Sequence, residues 1–140
     1  MSRKMMVSSI MTQNVIVASK SSKFSQLIEF FTEHNIRHLP VTNGDELIGI
    51  ISQKDMLRYL GMKLRNGAAF NMASLDANFD IADVITLNPV TVKPDDNLEL
   101  VFSILAEGKF QAVPVVKDGM VHGIISNKDL MKLFPEAIRD

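Results

Sequence analysis

The sequence contains no cysteine, no tryptophan, a single tyrosine and no apolar run of membrane-spanning length. The lack of cysteine excludes disulfides and thiolate metal sites, and it permits a cytoplasmic location. The net charge is −1 and the basic residues are scattered, which argues against a duplex-binding surface. The shortage of large aromatic residues argues against base-stacking platforms for single strands. No sustained apolar stretch follows the basic N-terminal residues, so we expect neither a signal peptide nor a membrane span.

The chain of 140 residues does contain an internal duplication. Residues 9–60 align with residues 83–134 at a constant shift of 74, without a gap, and eleven aligned positions are identical. The longest shared stretch has the form Gly-Ile-Ile-Ser-x-Lys-Asp and begins at Gly49 and again at Gly123. The duplication therefore predicts two copies of one structural unit.

The length predicts one compact module over residues 1–140. We place the first repeat at 5–60, a connector at 61–80 and the second repeat at 81–135. The connector is too long for a structureless loop inside a compact domain, so we expect it to be partly helical. In that interpretation Asp80 caps a short helix that runs through Val84.

Each repeat predicts the element order β-α-β-β-α, and the chain is therefore assigned to the α+β class. Apolar residues recur at helical spacing after polar N-cap candidates, and Asn43-Gly44 and Asp118-Gly119 predict hairpin turns. The predicted elements are strands at 15–17 and 90–92, helices that follow Ser21-Ser22 and Asp95-Asp96 and end near Asn35 and Gly108, strands at 38–41 and 112–116, strands at 47–51 and 121–125, and closing helices at 53–60 and 127–134.

The repeated Ser-x-x-Asp motif permits two interpretations. It is a capping box, in which the serine hydroxyl accepts from an early helical N–H and the aspartate reaches back to the cap. A strand-to-helix junction also presents free N–H groups that suit a phosphate, and a carboxylate can accept hydrogen bonds from a ribose diol. With Ser52, Lys54 and Asp55 in one repeat and Ser126, Lys128 and Asp129 in the other, the motif predicts two nucleotide sites.

Taken together, these motifs resemble a known family. Two copies of Gly-h-h-Ser-x-x-Asp (h is apolar), each after an h-Pro-Val strand and a leading Thr-x-Asn, strongly resemble a tandem pair of cystathionine-β-synthase (CBS) domains over about residues 5–135. The resemblance implies two copies packed around a pseudo-twofold axis. It also implies that adenine nucleotides, or adenosyl ligands such as S-adenosylmethionine, bind in two clefts between the copies and regulate another protein.

The resemblance implies that each cleft takes residues from both copies. The first cleft would hold Thr12, Ile36, Arg37 and His38 opposite Ile124, Ser126, Lys128 and Asp129. The second would hold Thr86, Phe110 and Gln111 opposite Ile50, Ser52, Lys54 and Asp55. The two clefts are chemically unequal, because glutamine replaces Arg37 and the proline of Thr86-Leu87-Asn88-Pro89 has no counterpart after Thr12-Gln13-Asn14. We expect the cleft built on Asp129 to bind more tightly.

We therefore predict a regulatory, energy-sensing module that is not an enzyme and has no cofactor, since no nucleophile–base pair, P-loop or metal spacing is present. The three histidines share no ligand spacing. The alternative is a structural interaction module with empty clefts. The closing helices are too apolar for one buried stripe, which predicts a homodimer, as the resemblance also does. The sequence does not name the effector protein that such a module would regulate.

Overall fold

The computed structural model describes residues 5–134, and these fall into two compact units. One unit is continuous in sequence, Ile16–Asn88. The other combines the described residues up to Val15 with those from Pro89 onward. Each unit thus consists of the body of one repeat and the leading segment of the other.

The continuous unit is a small mixed sheet with helices. Strand β1 pairs in parallel with β2, β2 and β3 form an antiparallel hairpin, and β4 pairs with β3. Its elements are β1 (Ala18–Ser19), α1 (Phe24–Glu33), β2 (His38–Asn43), β3 (Glu46–Ser52), α2 (Gln53–Arg65), α3 (Met72–Ala77), a 3-10 helix (Ile81–Asp83) and β4 (Thr86–Leu87).

The second unit repeats the central part of this plan. It contains a 3-10 helix (Val7–Ser9), α4 (Leu98–Ala106), β5 (Ala112–Lys117), β6 (Met120–Ser126) and α5 (Asn127–Met131). Strands β5 and β6 form an antiparallel hairpin, in which Asp118 and Gly119 both have positive φ. The mixed α+β class is therefore confirmed, and so is the predicted order of elements, except that the leading strand of the second repeat is reduced to a single bridge at Val92.

The duplication is reproduced in the strand pairing. Ala18 is opposite Val41 in one unit, and a single parallel bridge joins the equivalent Val92 and Val115 in the other. Both hairpins have an irregularity at the equivalent place, after Val41 and after Val115. The shift of 74 residues thus holds for the backbone as well as for the sequence.

Each unit has its own hydrophobic core. In the continuous unit, Phe24 and Leu27 of α1 pack with Leu39, Val41 and other strand residues. The rings of Phe24, Tyr59 and Phe79 lie 5.3–6.0 Å apart, which brings the connector residue Phe79 into this core. In the other unit smaller residues replace Phe24, Leu27 and Leu39, and the core contains Val7, Leu98, Val101, Val113, Val115 and Ile125.

Several predicted boundaries are wrong. Residues 15–17 are not a strand, because backbone pairing begins only at Ala18, and in 90–92 only Val92 pairs. The helix caps are not the predicted ones. Ser21 and Ser22 bond Ser19 in a turn, and Lys23 is the N-cap of α1. Likewise the Asp96 carboxylate accepts from Lys93 N–H, and Asn97 caps α4.

The closing helices also differ in length from the prediction. Helix α2 continues to Arg65, and its end takes up the first residues of the predicted connector. Helix α5 ends at Met131, before two turn residues. The predicted helical connector is confirmed by α3, and Asp80 accepts from Ala82 N–H at the start of a 3-10 helix, as expected. The last predicted repeat residue, 135, lies outside the described residues.

Within residues 5–134, every helix is too short or too polar to cross a membrane.

Candidate functional site

The second Ser-x-x-Asp motif lies where β6 ends and α5 begins, and it forms a capping box. Asp129 N–H donates to Ser126 Oγ at 3.3 Å, and Ser126 N–H donates back to Asp129 Oδ2 at 2.9 Å. The Ser126 hydroxyl is also 3.1 Å from Oδ2. The capping interpretation is therefore confirmed, and it uses only one of the two carboxylate oxygens.

The other oxygen of Asp129 faces Thr12. Thr12 Oγ1 donates to Asp129 Oδ1 at 3.4 Å, across 117 residues of sequence. This approach is fixed by two backbone hydrogen bonds between Thr12 and Ile124, at 2.8 and 3.0 Å. It requires a glycine at position 123, since a Cβ there would lie 2.9 Å from Thr12 O and 2.6 Å from Met11 Sδ. The structure thus brings together Thr12, Ile124, Ser126 and Asp129, with Lys128 exposed beside them.

The first Ser-x-x-Asp motif has the same box but a different outer partner. Ser52 N–H donates to Asp55 Oδ2 at 2.8 Å, and Asp55 N–H donates to Ser52 Oγ at 3.1 Å. Here Oδ1 is 3.3 Å from Nη1 of Arg58, one turn further along α2. The two aspartates therefore differ in the group that meets their second oxygen.

Thr86 takes the place of Thr12 in the continuous unit. It pairs with Ile50 in the β3–β4 ladder, just as Thr12 pairs with Ile124. Gly49 allows β4 to approach β3 this closely, because a Cβ at position 49 would lie 2.6 Å from Thr86 O. Thr86, Ile50, Ser52 and Asp55 are thus assembled in one unit, with Lys54 exposed on the first turn of α2.

Arg37 and His38 lie at the start of β2, beside the first box. Arg37 C=O accepts from Gln53 N–H at 2.8 Å, and His38 is opposite Ser52. Burial lowers the pKa of His38; Asp55 opposes this effect, while Arg37 and Lys54 add to it. His38 is therefore neutral at about pH 7, since its ordinary pKa is already near 6.5.

The equivalent residues of the other unit offer no charge. Gln111 C=O accepts from Asn127 N–H at 3.0 Å, which matches the Arg37–Gln53 bond. Phe110 is half-buried against the core of its unit, as Ile36 is against the core of the other. Arg37 and Gln111 thus occupy equivalent places in their units, one charged and the other neutral.

The predicted clefts combine residues of both units. Thr12 with the Asp129 motif, and Thr86 with the Asp55 motif, each belong to one unit. The placement of Ile36, Arg37 and His38 opposite Asp129, and of Phe110 and Gln111 opposite Asp55, stays a prediction.

Arg58 is not among the site residues predicted from the sequence. The signal was present, because an aspartate and an arginine three residues apart on a helix are neighbours on its surface. The equivalent of Arg58 in the second repeat is Lys132, and among the described residues no ion pair joins it to Asp129.

A family model matches the chain twice. The CBS domain model matches residues 7–61 and 81–136, which together cover most of the sequence. Protein MJ1225 of Methanocaldococcus jannaschii is 30% identical over 128 residues, which is 91% of this chain and 42% of that protein. The chain spans less than half the length of the curated relatives it matches.

Solved structures of similar size match the fold closely. CBSX2 in complex with AMP is 25% identical, covers 95% of this chain and 98% of its own, and has a TM-score of 0.76. CBSX2 comes from Arabidopsis thaliana. The CBS domain pair of protein MJ0100, in complex with 5-methylthioadenosine and S-adenosyl-L-methionine, has a TM-score of 0.80 at 24% identity, over 96% of this chain and 99% of its own.

Proposed function

Because this chain belongs to the CBS domain family, we propose that it is a regulatory module that binds an adenine nucleotide or a related adenosyl ligand at its Ser-x-x-Asp motifs. The observation that carries the proposal is that the two carboxylate oxygens of Asp129 have different partners. Oδ2 accepts from Ser126 N–H, while Oδ1, among the described residues, accepts only from the Thr12 hydroxyl. That oxygen is the natural acceptor for a ribose hydroxyl.

The chemistry around each motif suits a nucleotide. An ionised carboxylate accepts two hydrogen bonds from a vicinal diol, and hydrogen bonds to a charged acceptor are stronger than neutral ones. A lysine and a hydroxyl at the start of a helix supply donors and positive charge for a phosphate. Lys54 and Lys128 are both exposed at this place. The solved complexes of CBSX2 with AMP and of the MJ0100 domain pair with S-adenosyl-L-methionine support an adenosyl ligand.

The proposed role is regulatory rather than catalytic. Ligand binding would change the packing of the module, or its contacts with an effector protein, and the module would act in the cytoplasm as a homodimer. The alternative, a structural module that binds no ligand, would account for the capping boxes. It would give no reason for a lysine and a leading threonine at both motifs.

The first test replaces Asp129 by asparagine and measures AMP and 2′-deoxy-AMP by calorimetry. Asparagine can still accept from Ser126 N–H, but it removes the charge and turns one acceptor into a donor. We expect Asp129→Asn to weaken AMP binding at this site by roughly ten- to a hundred-fold, since a hydrogen bond to a charged group contributes about 1.5–3 kcal/mol. Binding of 2′-deoxy-AMP to the unaltered protein should be weaker than that of AMP.

The control is Asp95→Asn, which changes an exposed aspartate in a turn outside the motifs. It should bind AMP as the unaltered protein does. A thermal melt of each variant shows whether the fold is kept. Equal affinity for AMP and its 2′-deoxy analogue in the unaltered protein would refute the ribose assignment, and no binding of any adenosyl ligand would refute the proposed function.

A further inference from the structure

We propose that Arg58 competes with ribose hydroxyls for Asp55 and so lowers the ligand affinity of the site built on the first repeat. This inference rests on the proposed function and adds to it a residue that sets the affinity of one site. It starts from the different partners of the two equivalent carboxylates: an arginine at Asp55 and a threonine hydroxyl at Asp129.

The geometry places Arg58 on the solvent side of Asp55. The guanidinium Nη1 is 3.3 Å from Oδ1, and the Arg58 side chain is 75% exposed while that of Asp55 is 20% exposed. Ser52 N–H already occupies Oδ2 from the inside. A ribose diol that approaches from solvent must therefore meet the oxygen that Arg58 holds, and the arginine can offer it no acceptor in exchange.

The second repeat lacks this competitor. The partner of Asp129 Oδ1 is the neutral Thr12 hydroxyl, at a long 3.4 Å, and a hydroxyl can rotate to accept from a ligand instead of donating to the aspartate. Lys132 stands where Arg58 does, and within residues 5–134 it forms no ion pair with Asp129. Within the described residues, Oδ1 of Asp129 therefore contacts a neutral hydroxyl where Oδ1 of Asp55 contacts a cation.

The expected effect is modest, because Arg58 is exposed and its ion pair is screened by water. Removing it should tighten binding at the Asp55 site by about two- to five-fold. Arginine and glutamine have similar helix propensities, so Arg58→Gln leaves α2 intact.

The experiment isolates the Asp55 site in the Asp129→Asn background. Adenosine and AMP are titrated calorimetrically into Asp129→Asn, Asp129→Asn/Arg58→Gln and Asp129→Asn/Lys132→Gln. We expect Arg58→Gln to tighten both ligands by a similar factor, because the competition is for the ribose. Lys132→Gln should change neither, which makes it the matched control from the other repeat.

The choice of ligands separates this proposal from its main rival. If Arg58 instead binds the phosphate, Arg58→Gln weakens AMP and leaves adenosine unchanged, and the proposal is overturned. An unchanged affinity for both ligands overturns it as well. Where the background binds neither ligand measurably, newly measurable binding in the Arg58→Gln variant supports competition, and continued absence of binding contradicts it.

Failure of the proposed function is distinguishable from failure of this inference. Should the unaltered protein bind neither adenosine, AMP nor S-adenosylmethionine, the proposed function fails. Should the unaltered protein bind while Arg58→Gln does not tighten the Asp55 site, only the role of Arg58 fails.

Discussion

At the level of single side chains, each motif aspartate uses one oxygen to close a helix cap and presents the other outward. This explains why one short motif permits both a structural and a functional interpretation. The cap fixes the carboxylate in place, because Ser126 N–H and Ser52 N–H hold Oδ2 at 2.9 and 2.8 Å. A ligand would then meet an acceptor whose orientation is already set, which lowers the entropic cost of binding.

Arg37 is predicted to make the two sites unequal by its charge. Its side chain is exposed, and only its backbone carbonyl bonds Gln53, so Arg37→Gln leaves that hydrogen bond intact. Since a charged contact to phosphate exceeds a neutral one by about 1 kcal/mol, we expect the tighter phase of AMP binding to weaken about five-fold. The measurement is calorimetry with AMP and, as a ligand without phosphate, adenosine.

The reciprocal change, Gln111→Arg, should raise the affinity of the weaker of the two sites for AMP. Adenosine binding should be unaffected by either substitution. Two equal sites in the unaltered protein, or an Arg37→Gln variant with unchanged AMP affinity, would contradict the predicted inequality.

The motif residues could be recognised from the sequence because the duplication marks them twice. Ser52, Asp55, Ser126 and Asp129 all appear in a repeated string, and the structure shows each pair as a box. Of the two outer partners, Thr12 was placed with Asp129 through the family resemblance, and the contact across 117 residues agrees with that placement. Arg58 was not predicted, because it differs from its counterpart Lys132 in a way that only the three-dimensional contact makes visible.

At the level of helices and strands, the connector is tied to the first repeat by an aspartate. Asp76 of α3 accepts from Ser25 N–H at 2.7 Å and from Ser25 Oγ at 2.6 Å. Ser25 lies in the first turn of α1, where backbone N–H groups lack partners within the helix. Asp76 therefore acts as a cap supplied by a distant segment.

Replacing Asp76 by alanine should lower the free energy of unfolding by about 1–3 kcal/mol, because both donors lose their acceptor. Ser25→Ala should cost less, since its N–H still donates to Asp76. Urea denaturation at about pH 7 measures both, and Asp95→Ala serves as an exposed control that should stay within about 0.5 kcal/mol of the unaltered protein. Equal stability of Asp76→Ala and Asp95→Ala would show that this cap is unimportant.

The same contact predicts a pH dependence. The Ser25 hydroxyl and then the Ser25 N–H hold the pKa of Asp76 below its ordinary value. A carboxylate whose pKa is lower in the folded state than in the unfolded state stabilises the fold at pH values above its unfolded-state pKa. This stabilisation is lost as the pH falls through the folded-state pKa. The stability difference between the unaltered protein and Asp76→Ala should therefore shrink below about pH 4.

Helix positions were predictable because burial sets their spacing, as Phe24, Leu27 and Phe31 show on one buried face of α1. The first strand was not predictable from its β-rich residues 15–17. Strand pairing depends on the residue opposite, and Ala18 is the first to face a partner, Val41. The contact between Asp76 and Ser25 leaves no periodic trace in the sequence and could not be anticipated.

For the molecule as a whole, we predict a homodimer formed through the closing helices. Leu57 and Met131 are 64% and 62% exposed, and Phe134 adds further apolar surface. Covering such surface is the usual reason for association. Sedimentation equilibrium at tens of micromolar should give twice the mass of one chain, and Leu57→Lys should shift the equilibrium towards monomer.

Leu87→Lys is the matched control, because Leu87 is 61% exposed but lies outside the closing helices. It should leave the dimer intact. A single monomeric species for the unaltered protein would contradict the prediction.

The described residues up to Val15 belong to the same unit as the second repeat, and this affects the order in which contacts form during synthesis. The unit Ile16–Asn88 contains all of its strands within one continuous stretch, so it can form once that stretch has left the ribosome. The segment around Thr12 must wait until Ile124 has been made, because its backbone partners belong to β6. The segment around Thr12 therefore reaches its final contacts later than the unit Ile16–Asn88, although it is translated first, and a ligand that needs Thr12 beside Asp129 can bind there only after Asp129 has been translated.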